Sequence, residues 1–182
     1  MAAAIETIMV TQTVTQLEQV FRAHNACVLK AAYRVTGSMS DAEDVLQSVF
    51  LRLARGTVDP DSISNLESYL RRSAVNAALD LIRSRGDREV VPVESADNLR
   101  SNCSISPERA LSSLEIKTSL RRELAKLNPR TAEMFALRYL EGLDNPEIAR
   151  EMNTSQAVVA VTLHRARARL KKGLRGFMRG AS

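Results

Sequence analysis

Residues 143–169, LDNPEIAREMNTSQAVVAVTLHRARAR, leave this chain few folds to choose from. Asp144 is placed to cap a helix, because its carboxylate can accept a free backbone N–H of the opening turn. Glu147, three residues on, completes a capping-box pattern, and Pro146 in the first turn gives up no needed donor. Ile148, Ala149 and Met152 then make one apolar face. Asn153-Thr154-Ser155 breaks the pattern, and Ser155 can cap a second helix. That helix carries Val159 and Leu163 inward and Arg165, Arg167 and Arg169 toward its end. A short helix, a tight polar turn and a longer basic helix predict a helix-turn-helix, whose second helix enters the DNA major groove.

The rest of the chain reads as helix too. No stretch alternates apolar and polar residues long enough to argue for a sheet, and 45% apolar residues in 182 can fill two small cores. The predicted class is all-α: two small helical domains on a flexible linker, the C-terminal one a four-helix domain with the helix-turn-helix. Charge follows the same division. Residues 1–86 hold nine Lys/Arg against nine Asp/Glu, 87–110 hold three against five, and 111–182 hold fourteen against seven, so the net +5 comes from the last part. Alone, such an excess is also what a solvated helix face carries. Beside the motif it marks a phosphate-binding surface.

Other chemistry is scarce. Cys27 and Cys103 form no CxxC or Cys/His cluster, so neither a zinc site nor a disulfide framework is suggested. His24 lies near a helical apolar stripe and reads as a structural histidine; His164 is the only other one. With no Gly-rich phosphate loop and no nucleophile–His–acid set, no enzyme, metal or cofactor is expected. The opening MAAAIETIMVTQTV has neither a basic n-region nor a long apolar run, so a cytoplasmic protein without membrane insertion is expected.

Taken in order, residues 1–14 read as a flexible arm. A helix follows over 15–36 (Leu17, Val20, Phe21, Val28, Ala31, Val35) and stops at Gly37. Ser40-Asp41-Ala42-Glu43 reads as a capping box for the next helix, whose apolar set is Ala42, Val45, Leu46, Val49, Phe50 and Leu53. Its other face is polar except for Leu51, which is either an ordinary exposed leucine or the anchor of a protein-binding surface. A third helix, 66–85, is apolar on most sides but carries a polar stripe, Arg72, Asn76, Asp80 and Arg83. Pairing within the helix and presentation to a nucleic acid both account for that stripe. Residues 87–110 switch to Ser, Asp, Glu and Asn and read as a linker. The second domain, 111–182, opens with a leucine-marked helix, then Asn128-Pro129 starts the helix that precedes the motif.

Three stretches carry a resemblance: AYRVTGSMSDAEDVLQSVFLRLA (32–54), SYLRRSAVNAALDLIRSR (68–85), and LNPRTAEMFALRYLEGLDNPEIAREMNTSQAVVAVTLHRARARL (127–170). Together they resemble a bacterial RNA polymerase sigma factor of the extracytoplasmic-function (ECF) group, in the sigma-70 family, over residues 15–175. The resemblance implies a transcription initiation factor whose partners are core polymerase (clamp and flap), promoter DNA and an anti-sigma factor. It makes 15–86 a region 2-like domain and 111–182 a region 4-like domain. Asp44, Gln47, Ser48 and Leu51 would contact the clamp, with Ser48 where the family usually has an acid. The loop 62–66, with Ser64, Asn65 and Leu66, would capture an extruded −10 base, beside Arg72, Asn76 and Arg83. Extruding a base costs a few kcal/mol, and aromatic rings usually help hold it. This chain has no Trp, and Tyr69 stands where the family often has one, which implies limited melting power.

The −35 element would meet Ser155, Gln156, Ala160, Val161, Thr162, His164, Arg165 and Arg167. Here the chain departs from the family, which has basic or polar residues where Ala160, Val161 and Thr162 stand. Their methyl groups can touch thymine, but none makes a bidentate contact to guanine. Arg167, Arg169, Lys171 and Lys172 would hold phosphates. The linker would either mimic nucleic acid near the RNA exit path or act as a plain tether. Two other readings stand beside the sigma factor: a two-domain helix-turn-helix regulator that never binds polymerase, and a sigma-like protein with an eroded DNA face.

Overall fold

The structure, a computed structural model, describes residues 2–55, 63–86 and 107–180. It contains α1 (Ala2–Thr36), α2 (Met39–Ala54), α3 (Leu66–Gly86), α4 (Pro107–Ala125), α5 (Pro129–Tyr139), α6 (Asn145–Glu151) and α7 (Gln156–Gly180), and no strand among the described residues. The all-α expectation holds. Two starts differ from the sequence reading. α1 begins at Ala2 rather than near Thr15, because AAAIETIMV is rich in helix formers and holds no Gly or Pro to stop the helix. α4 begins at Pro107 rather than near Leu111, with proline in its first turn where a missing N–H costs nothing. Most of the expected linker, 87–106, lies outside the described residues.

Local signals set the helix ends. Gly37 takes φ +69° and its N–H reaches the Tyr33 carbonyl at 2.7 Å, closing α1. The chain then passes straight into extended Ser38, whose hydroxyl accepts the Asp41 N–H at 3.3 Å. Ser38 therefore caps α2, and the capping box expected from Ser40 does not form. Asp41 falls within the first turn, buried, where Arg85 holds it at 2.5 Å. Asn65 caps α3 through the Ser68 N–H, and Asn128 caps α5 through the Thr131 N–H. The Asp144–Glu147 box is complete in both directions, at 2.8 and 2.6 Å. α6 ends with Asn153 at φ +48° while the Thr154 N–H bonds the Ala149 carbonyl at 2.9 Å. This Schellman closure accounts for asparagine in the tight turn, since its short polar side chain tolerates the left-handed region. Ser155 then caps α7 through the Val158 N–H.

α1, α2 and α3 cross one another around Val28, Val35, Val45, Val49, Leu70, Val75 and Leu79. α4 to α7 enclose Leu124, Met134, Leu137, Ile148, Val159, Leu163 and Leu170. Fully burying one such side chain contributes roughly 1.5–3 kcal/mol. The two groups share a single apolar cluster, because α3 also lies against α4 and α5. α5 is consequently covered on two sides, by α7 and by α3, and every residue from Ala132 to Leu137 is buried.

Among those six is a carboxylate. Glu133, its side chain 10% exposed, accepts from Arg72 Nε at 2.8 Å and from Asn76 Nδ2 at 3.0 Å. The remaining arm of the same guanidinium donates to the Glu151 carbonyl of α6. Arg71 reaches the Glu151 carboxylate at 2.9 Å, and Arg34 reaches Glu141 at 3.2 Å. Arg121 of α4 donates Nε to the Val35 carbonyl at 3.0 Å, and its guanidinium lies against Gly37, where a methyl group would collide with it.

Two stability measurements check these contacts. Asp144→Ala removes the cap of α6 and is expected to lower the unfolding free energy by about 0.5–2 kcal/mol in urea melts; an unchanged midpoint would remove the box from the account. Glu133→Ala leaves Arg72 and Asn76 without their shared acceptor and is expected to cost about 1–3 kcal/mol; a neutral result would mean the contact contributes nothing to the folded chain.

Candidate functional site

Three surfaces hold the residues singled out in the sequence. The first is the outer face of α2. Asp44, Gln47, Ser48 and Leu51 stand at i, i+3, i+4 and i+7 and are all exposed, while Ala42, Val45, Val49, Phe50 and Leu53 hold the opposite face in the core. Leu51 is 53% exposed. A leucine held open in a row of short polar side chains can enter an apolar pocket on a partner without disturbing its own helix.

The second surface is the α3 stripe with the segment before it. Ser64 and Asn65 are exposed and Leu66 is half-buried as the first residue of α3. Asn65 is engaged as the helix cap through Oδ1. Within the stripe, Arg83 pairs with Asp80 at 2.8 Å, as expected of neighbours on one helix face. Arg72 and Asn76 find a partner outside their own helix. They do not pair along the helix with Asp80; both are half-buried and donate to Glu133, and Arg72 also to the Glu151 carbonyl. Arg83 keeps Nε and Nη2 buried and without a protein partner.

The third surface is α7. Val159, Leu163, Ala166 and Leu170 form its buried face. Ser155, Gln156, Ala160, Val161, His164, Arg165 and Arg167 are exposed on the other side, and Thr162 is half-buried at the edge. The structure thus brings this whole set onto one outward face. Val158, 48% exposed, lies near Val161, 50% exposed, and extends the methyl-rich character of that face. Sequence reasoning missed Val158, although its i, i+3 spacing to Val161 was the available signal. Arg169 is exposed, and its Nη2 donates to the Lys126 carbonyl at 3.2 Å, which ties α7 to the end of α4. Lys171 and Lys172 are exposed.

The remaining groups carry structure. His24 is half-buried. Burial pushes the Cys27 thiol above its ordinary value, with Glu67 and Glu141 adding to the effect against Arg71 and Lys30. At neutral pH that keeps it a poor nucleophile. Burial likewise pushes the Arg121 guanidinium below its usual range, against Tyr33. Among the described residues no cluster of His, Cys, Asp or Glu could hold a metal ion, and no described helix is long and apolar enough to cross a membrane.

Known proteins share this arrangement. The family model of sigma-70 region 2 matches residues 20–88, over α1 to α3, and that of sigma-70 region 4 matches 117–170, over α4 to α7. The RNA polymerase sigma-E factor of Streptomyces avermitilis is 30% identical over 164 residues, 88% of this chain and 86% of that one. The ECF RNA polymerase sigma factor SigW of Bacillus subtilis is 28% identical over 155 residues, 81% of this chain and 83% of the relative. Among solved structures, CnrH in complex with the cytosolic domain of CnrY aligns with a TM-score of 0.50 at 23% identity, covering 93% of this chain and 96% of that one. The sigma factor RpoE of Bartonella quintana, in complex with the anti-sigma factor NepR, also aligns at 0.50, with 20% identity, covering 88% and 97%. These two likenesses bear on the fold alone. The region 2 and region 4 matches and the relatives aligned along most of their length lead to one conclusion: the chain belongs to the ECF group of the sigma-70 family and is a transcription initiation factor.

Proposed function

We propose that the chain performs initiation with its three surfaces in separate roles. The outer face of α2 (Asp44, Gln47, Ser48, Leu51) docks on the clamp of core polymerase. The stripe of α3 (Arg72, Asn76, Arg83), with Ser64, Asn65 and Leu66, engages the −10 element. The outer face of α7 (Ser155, Gln156, Ala160, Val161, Thr162, His164, Arg165, Arg167) engages the −35 element. The division into a first domain over 15–86 and a second over 111–182 follows from these roles, with α1 extending the first toward Ala2 and α4 reaching back to Pro107. The protein works in the cytoplasm, by binding and without catalysis of its own. An anti-sigma factor is a fitting partner, since the sigma factor RpoE of the same fold was captured with the anti-sigma factor NepR.

The observation that carries this reading is the α2 face. It lies outside the DNA-binding half, is polar around one open leucine, and has no structural duty, because the core is filled from the opposite side of the helix. An ordinary helix-turn-helix regulator has no use for it. On α7 the composition sets what can be read. Valine, alanine and threonine methyls select thymine by apolar contact, and His164 and Arg165 supply the hydrogen bonds. Arg167, Lys171 and Lys172 supply affinity that depends on salt and ignores sequence.

Leu51→Asp tests the docking face. At an exposed position it is expected to move stability by less than about 0.5 kcal/mol, while retention of core polymerase in a pull-down is lost. Full retention would rule out α2 as the docking helix. On α7, Arg165→Ala is expected to weaken promoter binding by about 1–3 kcal/mol and to relax preference at one base; unchanged affinity across promoter variants would take Arg165 out of the reading face.

A further inference from the structure

Val158 has no place in the reading set drawn from the sequence, yet the structure leaves it as open as Val161. It does nothing for the core, because Val159, Leu163, Ala166 and Leu170 fill the inner side of α7. A single exposed valine is ordinary. These two stand three residues apart, so they are neighbours on one helix face with Cβ atoms about 5–6 Å apart. Arg165 follows on the same face, seven residues after Val158. Ala160 faces away from Val158, two residues off, and Thr162 is half-buried. The valine pair also occupies the opening turns of α7, the part of a recognition helix that meets base edges. Base pairs stack about 3.4 Å apart, so side chains at this spacing reach two neighbouring pairs.

The pair is presented stiffly. Ser155 Oγ accepts the Val158 N–H at 3.3 Å and the Ser155 carbonyl accepts the Val159 N–H at 3.1 Å, which closes the first turn. A valine in a helix keeps nearly one χ1 rotamer, so its methyl groups lose little freedom on docking. In the major groove the feature that matches a fixed methyl group is the 5-methyl of thymine. The other base edges present hydrogen-bonding atoms, which a valine would strip of water without replacing it. We infer that Val158 and Val161 form a reader of pyrimidine 5-methyl groups in the −35 element, with Val158 a further specificity-determining residue. This rests on the initiation reading above and gives its −35 contact a ligand chemistry.

Charge decides the occupant. No Asp or Glu occurs from residue 152 to 182, and Arg165, Arg167, Lys171 and Lys172 stand exposed further along α7. An apolar pair set in a wholly basic helix fits a polyanion that carries methyl groups in its groove. A reader of this kind has a second ligand. 5-Methylcytosine carries its methyl group at the same ring position as thymine and differs at position 4, where neither valine has a donor or an acceptor to sense the change. Two neighbouring positions of the element therefore accept thymine or 5-methylcytosine and disfavour uracil and cytosine, each by the modest factor that one methyl contact carries.

The test uses holoenzyme reconstituted from the full chain and core polymerase. Duplexes with a randomised upstream window are selected by retention. The selected −35 element is then resynthesised with each thymine replaced in turn by deoxyuridine, which removes the methyl group and nothing else. Replacement at each of two adjacent positions is expected to weaken binding about 4-fold, the factor for burying one methyl-sized group. In Val158→Ala holoenzyme the uracil penalty is expected to vanish at one of these positions, and in Val161→Ala at the other. At both positions 5-methylcytosine is expected to bind more tightly than cytosine by the same factor. Uracil penalties that neither valine variant changes would overturn the assignment to this pair. A selected element without thymine, or one indifferent to uracil, would overturn methyl reading outright. Loss of core polymerase retention in Val158→Ala would make the residue a protein contact and overturn it too. Holoenzyme that selects and opens promoters while ignoring uracil fails this inference alone, whereas holoenzyme that selects no duplex sinks the initiation reading with it.

Discussion

A single carboxylate, Glu133, organises the meeting of the two halves. It lies within α5, covered on both sides, where burying a carboxylate without donors is costly. Arg72 and Asn76 of α3 are those donors. The apolar residues around it, Ala132, Met134, Ala136 and Leu137 on α5 and Leu70, Ala74, Val75, Ala78 and Leu79 on α3, close the contact from water. Small side chains on α3 let the helices approach closely enough for the polar group to be reached. The contact therefore specifies a register: α5 can slide along α3 only by leaving a buried charge unpaired. Arg121 fixes the other end by donating to the Val35 carbonyl near the end of α1, where the helix dipole favours a cation.

Much of this was legible in the chain because most of its signals are local. The Asp144 and Asn128 caps, the α2 face with Leu51 outward and the α7 face with Val159 and Leu163 inward all follow from spacing within one helix. The errors have local causes as well. Ser40 was a plausible cap, but the left-handed Gly37 places Ser38 at the capping position first. What spacing could not supply was the partner of the α3 stripe. Arg72 and Asn76 find their acceptor sixty-one and fifty-seven residues away. A signal did exist. α3 and α5 are both apolar on nearly every side, and each interrupts that surface with charge, Arg72 on one and Glu133 on the other. A helix apolar all round needs two neighbours, and two such helices with opposite charges are candidates for each other.

The composition of α7 bears on how the two promoter contacts share their work. Its reading face offers methyl groups at Ala160, Val161 and the half-buried Thr162, with Val158 beside them. Apolar contacts with thymine discriminate less sharply than a bidentate pair with guanine. Arg169 also donates to the Lys126 carbonyl, which steadies α7 against the end of α4. The face that remains is suited to fixing position along the duplex. Sequence discrimination then falls more heavily on the proposed −10 contacts.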